Sequence, residues 1–270
     1  MLDHGTSFGF AVTPTLGGSG TVTVTGSMSL GNFSAMSGSG TTVLAAGATG
    51  TITGNIPLGR ALFIGGQATL SGASINNAGG SVENAGLLLA QGAGSTTTIN
   101  VPVTNDATGT IEVDGATLRL TGGFTNHGAI STINGGQFID DGTVGGNASI
   151  GEASLIDFGG VSSSHITFAG QSGTLQLDKS QSFTGQISGF GGADQIDLGD
   201  IAFDASATTL GYSGNSGNSG GTLSVSDGTH TANLALLGNY MASSFATSSD
   251  GHGGTLITDA AQSSIQPPHP

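Results

Sequence analysis

The chain has no cysteine and no tryptophan. Without thiols there can be no disulfide, no thiolate metal site and no cysteine nucleophile. Positive charge is nearly missing as well: 3 Lys and Arg stand against 17 Asp and Glu, a formal net charge of -14. A surface of that sign repels phosphate backbones and anionic headgroups, which argues against a nucleic-acid partner. Charged residues make up 7% of the chain, against about 25% in an ordinary soluble domain. No apolar run approaches the roughly 18 residues of a membrane-spanning helix. Nor does a basic segment followed by a continuous apolar one open the chain. A removed signal, a fragment of a longer protein and a C-terminal export signal are each compatible with that.

What fills the space is small. Gly accounts for 51 of 270 residues, while hydrophobic residues account for 36%. Such a composition permits disorder, but the apolar residues recur at regular intervals, as a folded chain requires. From Thr21 short runs of Val, Ile, Leu and Thr alternate with Gly clusters: T-V-T-V-T, S-M-S-L, T-T-V-L, T-I-T-G and A-L-F-I. These read as strands, and nothing reads as a long amphipathic helix.

Between Ser81 and Gly189 the pattern has a period. Asn84, Asn105, Asn126 and Asn147 are spaced by 21 residues. Two positions before them lies an apolar column, Val82, Val103 and Phe124, continued by Ile166 and Ile187 after an imperfect slot at Gly145. Self-similarity at such a period is the signature of a solenoid. Each period holds two or three strand-like pieces with Gly or Asn at the corners, which predicts a parallel β-helix. The Asn column should then face inward and form a ladder of amides, with backbones about 4.8 Å apart. The Arg60-Ala61-Leu62-Phe63 stretch falls near the same register, so the coils are expected to begin before Ser81.

The motifs V-T-N-D-A-T-G-T-I and F-T-N-H-G-A-I, with Gly-Gly pairs between strands, resemble the right-handed β-helices of bacterial autotransporters and filamentous-haemagglutinin-like surface proteins. After Phe183 the character changes. The runs 183–203, 220–240 and 249–259 resemble the C-terminal module of large type I-secreted or surface-exposed bacterial proteins. Within that module Asp227-Gly228 predicts a hairpin, with Leu223 and Val225 on a strand that pairs with the one carrying Leu234 and Leu236. Residues 211–221 read as a flexible loop. The expected organisation is an all-β chain with a lead-in at 1–20 and a parallel β-helix over 21–203. An antiparallel module over 204–260 and a tail over 261–270 follow. The resemblance implies an extracellular or cell-surface structural or adhesive protein, with a surface or glycan as target. Open strand edges at both ends of a β-helix and few charged gatekeepers predict lateral or end-to-end self-association, including filament formation.

Two groups of residues invite a chemical reading. Asp157 and Asp178 are 21 apart and should stack on adjacent coils, with Asp194, Asp197 and Asp200 near the next. Stacked carboxylates repel, and a hard cation with oxygen ligands relieves that repulsion. The secreted-protein resemblance likewise implies calcium. However, the calcium nonapeptide G-G-x-G-x-D is not met, since Asp194 stands where Gly is needed. A solvated acidic face explains the same residues. The second group is Arg119 with Asp140, again 21 apart, and Asp141 beside it. On this spacing Arg119 and Asp140 share the exterior, as the acid, base and anion clamp of a β-helix lyase or glycoside hydrolase would. A single surface ion pair accounts for them too, and 3 basic residues equip an anionic-glycan enzyme poorly. No catalytic residues are therefore assigned. The 6 His residues show no metal-ligand spacing. No G-x-S-x-G elbow supports a serine nucleophile. Thr does not recur in register as an ice-binding face would need.

Overall fold

In a computed structural model, the structure describes residues 15–32 and 34–259. The expected tail at 261–270 and most of the lead-in lie outside them. The chain divides into two compact units, Met1–Gly142 and Thr143–Pro270. Both are built from a parallel β-solenoid of about 20 residues per turn. Among the described residues there is no α-helix, only the short 3-10 turns Ser180–Ser182 and Ala242–Ser244.

The first unit has three strand rows. One is a six-stranded parallel sheet that runs Thr21–Val24, Thr41–Leu44, Ala61–Ile64, Ser81–Asn84, Val103–Asn105 and Phe124–Asn126. A second row contains Ser27–Leu30, Leu87–Gln91, Thr110–Asp114 and Ala129–Ile133; a third contains Ala35–Met36, Thr96–Ile99, Thr117–Leu120 and Gln137–Asp140. The long strands Thr49–Leu58 and Gln67–Asn77 contribute to both of these rows. The lead-in reading ends early, because Thr15–Leu16 already pairs in parallel with Ala35–Met36.

Alternation explains the burial. In Thr41–Leu44 and Ala61–Ile64 every second residue is buried, as the period of a strand demands. Val82, Val103 and Phe124 pair in register, as do Leu118 and Phe138, with the Phe124 and Phe138 rings 5.6 Å apart. Each such side chain removed from water contributes about 1.5–3 kcal/mol. At the corners the backbones touch. A Cβ on Gly109 would lie 2.2 Å from the Asn84 carbonyl oxygen and 2.3 Å from Asn105 Oδ1, so only glycine fits.

The second unit keeps two rows. Asn147–Ile150, His165–Phe168 and Gln186–Ser188 stack in parallel, and the end of Thr231–Leu237 joins them. Leu155–Phe158, Thr174–Leu177 and Gln195–Leu198 form the other row. Besides these rows the second unit has the isolated bridge Val144–Ser162 and the turn Ser180–Ser182. Ile166 and Ile187 pair with each other, in the row that begins at Ala148.

Antiparallel strands follow. Thr209–Gly214, Gly220–Ser226 and Thr231–Leu237 form a meander. Phe245–Ser249 pairs with Thr255–Asp259, which lies antiparallel to Gln195–Leu198. The Asp227-Gly228 hairpin is present: Leu223 faces Leu234, while Val225 faces Ala232 and Leu236 faces Gly221. The expected loop at 211–221 is instead largely strand, turning at Asn215–Ser219 with Asn218 at a φ of 51°. Its Gly and Ser content masks the alternation of the half-buried Leu210 and Tyr212. An aromatic cluster underlies these strands. Phe190 lies 5.4 Å from Phe168 and 6.5 Å from Phe245, and Tyr212 lies 5.4 Å from Phe245.

Candidate functional site

The Asn ladder forms in the first unit and is three residues long. Asn84 Nδ2 donates to Asn105 Oδ1 at 2.7 Å, and Asn105 Nδ2 donates to Asn126 Oδ1 at 2.7 Å. The same amides reach corner carbonyls: Asn84 that of Thr110 at 3.0 Å, and Asn105 those of Gly109 and Ala129 at 3.3 and 3.1 Å. Asn84 and Asn105 are fully buried and Asn126 nearly so. Asn147 is no part of this ladder. It is exposed, opens a strand of the second unit and faces His165. The ladder is a corner-forming device and carries no reaction chemistry.

Arg119 and Asp140 do not share a face. Arg119 is exposed and faces Ile139, whereas Asp140 faces Leu120 and is 1% exposed. The coil is one residue shorter here than the period supposed, and a one-residue slip sends a side chain to the opposite face. Burial raises the Asp140 carboxyl to about 6 against the lowering effect of the Gly142 N–H, which donates to it at 2.9 Å. An acid, base and anion clamp therefore cannot be assembled from this pair.

The acidic set is redistributed in the same way. Asp157 faces Gln176, and Gln176 faces Asp197, so Asp157 and Asp178 do not stack. Asp178 accepts instead from Gln176 Nε2 at 3.1 Å. Asp194 is 1% exposed and accepts the Gly173 N–H at 2.8 Å and the Gly191 N–H at 3.1 Å. Its carboxyl is raised to about 6 by burial, which those two bonds oppose. Asp200 accepts the N–H and hydroxyl of Ser180 and both the N–H and Nε2 of Gln181. Asp197 is raised to about 6 by burial and then by repulsion from Asp250 and Asp178.

Asp194 and Asp200 thus accept their hydrogen bonds from protein donors, and Asp157 and Asp178 do not share a column. Among the described residues no group of three His, Asp or Glu is placed to hold a metal ion. His230 is held by Asp227, with Nδ1 to Oδ2 at 3.0 Å.

Two exterior features went unseen in the sequence. One is a polar ladder on the first unit, in which Asn76 donates to Asn55, Asn100 donates to Asn76, and Thr121 donates to Asn100. Its unequal spacings conceal it, since one corner is longer than the rest. The other is the outward face of the six-stranded sheet, where Val43 and Phe63 are half-exposed neighbours. Thr23 pairs with Val43 on one side and Glu83 with Phe63 on the other, with Thr104 and Thr125 beyond Glu83 and the Asp106 carboxyl beside it. Thr21 does pair with Thr41 here, but Ala61 and Ser81 then interrupt the column.

No protein-family model matches the chain, and no curated protein or solved structure matches it either. The solenoid and its exterior are therefore the ground for a functional reading.

Proposed function

We propose that this chain is a secreted or cell-surface structural protein of a bacterium, a right-handed β-helix that works by lateral association with further copies of itself. The observation that supports the reading is the outward face of the six-stranded sheet. It carries short Thr and Ala side chains around Val43 and Phe63, and its charge is confined to Glu83, next to Phe63, and the Asp106 carboxyl beside Glu83. Short side chains lose little rotamer freedom when covered, and a face with little charge has little to desolvate. Adhesion to a glycan or surface is the neighbouring version of the same reading. A polysaccharide-active enzyme is disfavoured, because Asp140 and Asp194 are turned into the protein and Arg119 faces Ile139.

Sedimentation and electron microscopy over a concentration series test the proposal. Particles larger than one chain should grow in with concentration, and the double substitution Val43→Glu, Phe63→Glu should return them to monomers. A wild type that stays monomeric throughout would overturn the reading, and retention on a glycan array would redirect it to adhesion.

A further inference from the structure

Arg60 is 1% exposed, the most voluminous of the fully buried side chains. Positions 20, 40, 60 and 80 each immediately precede a strand of the six-stranded sheet, and the other three are Gly. A Cβ on Gly40 would lie 2.1 Å from the Gly20 carbonyl oxygen and 2.7 Å from Arg60 Nη2. The guanidinium therefore lies in a corner where only glycine leaves it room. Nη2 donates to the Gly20 carbonyl at 2.7 Å and to the Thr41 carbonyl at 3.0 Å, which uses both of its hydrogens. Nε and Nη1, which carry the rest of the donor fork, are buried without partners. The hydroxyl of Thr42, next to the Thr41 carbonyl and fully buried, is unpartnered too.

A guanidinium stays charged at any working pH. Carbonyl dipoles satisfy its hydrogens but not its charge, and a buried charge needs a counter-charge or a full set of hydrogen bonds. Among the described residues no carboxylate pairs with Arg60; the ion pair found there is His230 with Asp227. We propose that Arg60 holds a halide ion inside the first coils, bound by Nε and Nη1. A monatomic anion accepts several N–H groups from one direction at once. Both free donors are buried, and of the anions a monatomic one asks for the least space. At a net charge of -14 the long-range field does not draw anions in, so the affinity comes from these local donors.

The deciding experiment is diffraction from crystals of the full chain grown in sodium bromide, with data collected at the bromine absorption edge. An anomalous peak within hydrogen-bonding reach of Arg60 Nη1 is expected. A water or a protein carboxylate at that position, or no peak, overturns the proposal. Thermal melts provide the solution counterpart. At equal ionic strength, which holds screening constant, chloride and bromide should raise Tm over gluconate with a saturating dose dependence. Arg60→Gly, which restores the residue type of the corner, should abolish that difference. If the variant does not fold, the wild-type diffraction still decides.

Discussion

The two units wind the same kind of coil and turn its corners with different chemistry. The first has three strand rows and a neutral ladder, Asn84 to Asn105 to Asn126. The second has two rows, and its corners are held by carboxylates: Asp194 takes the N–H groups of Gly173 and Gly191, and Asp200 takes those of Ser180 and Gln181. An amide both donates and accepts, so a column of Asn can repeat along the coils. A carboxylate only accepts, so it ends a chain of hydrogen bonds instead of passing it on. This fits a ladder in the unit where the strands repeat, and isolated Asp corners in the unit that also holds turns and antiparallel strands.

Cutting the ladder in the middle should have the largest effect. Asn105→Leu removes both ladder bonds and the donor to the Gly109 and Ala129 carbonyls, all of them buried or partly buried. Losses of this kind cost about 2–4 kcal/mol, measurable as a lower denaturant midpoint. No change in the midpoint would reduce the ladder to decoration.

The matching cut in the second unit is Asp194→Ala, which strands two buried backbone N–H groups. Its carboxyl is disfavoured by burial when ionised, so some strain is relieved at the same time. The net loss should be smaller, about 1–2 kcal/mol at neutral pH. A loss equal to that of Asn105→Leu would remove the distinction between the two corners.

Acidity should separate them further. Burial holds Asp140 and Asp194 at about 6 in the folded chain, above the ordinary 3.8. Raised carboxyls bind protons more tightly folded than unfolded. Their protonation therefore stabilises fully below about pH 4, and that gain is lost as pH rises through about 6. For Asp140, the gain is on the order of 1–2 kcal/mol. The denaturant midpoint should rise on acidification between those limits, and Asp140→Asn should flatten part of that rise. The Asn ladder contributes nothing to the slope. A midpoint that falls across this window would contradict the burial argument.

Calcium should have the smallest effect. With Asp194 and Asp200 occupied by protein donors, millimolar Ca²⁺ should shift Tm no more than an ionic-strength control. A saturable rise abolished by chelator would show that the remaining acidic residues do bind it.

The legible part of the fold is the part where coil length is constant. Val82, Val103 and Phe124 are 21 apart in sequence and adjacent in space. Their three Asn companions follow them. Elsewhere the corners gain or lose residues, and adding a fixed period then fails by a residue or two. Asp157 lands beside Gln176 instead of Asp178, and Asp140 lands inside instead of beside Arg119. Because strand side chains alternate, that small error is decisive for chemistry even where it is harmless for fold.

The sequence by itself determined that the chain is all-β and solenoidal, that its corners are Gly and Asn, and that a hairpin turns at Asp227-Gly228. Those features are local: they follow from β-branched runs, from φ preferences and from a spacing repeated without interruption. Only the tertiary structure decided which carboxylates face inward, that Arg60 is buried, and that the first unit has three strand rows and the second two. Such outcomes depend on the register between coils, which is the accumulated length of every intervening corner, and no single stretch of sequence contains that sum.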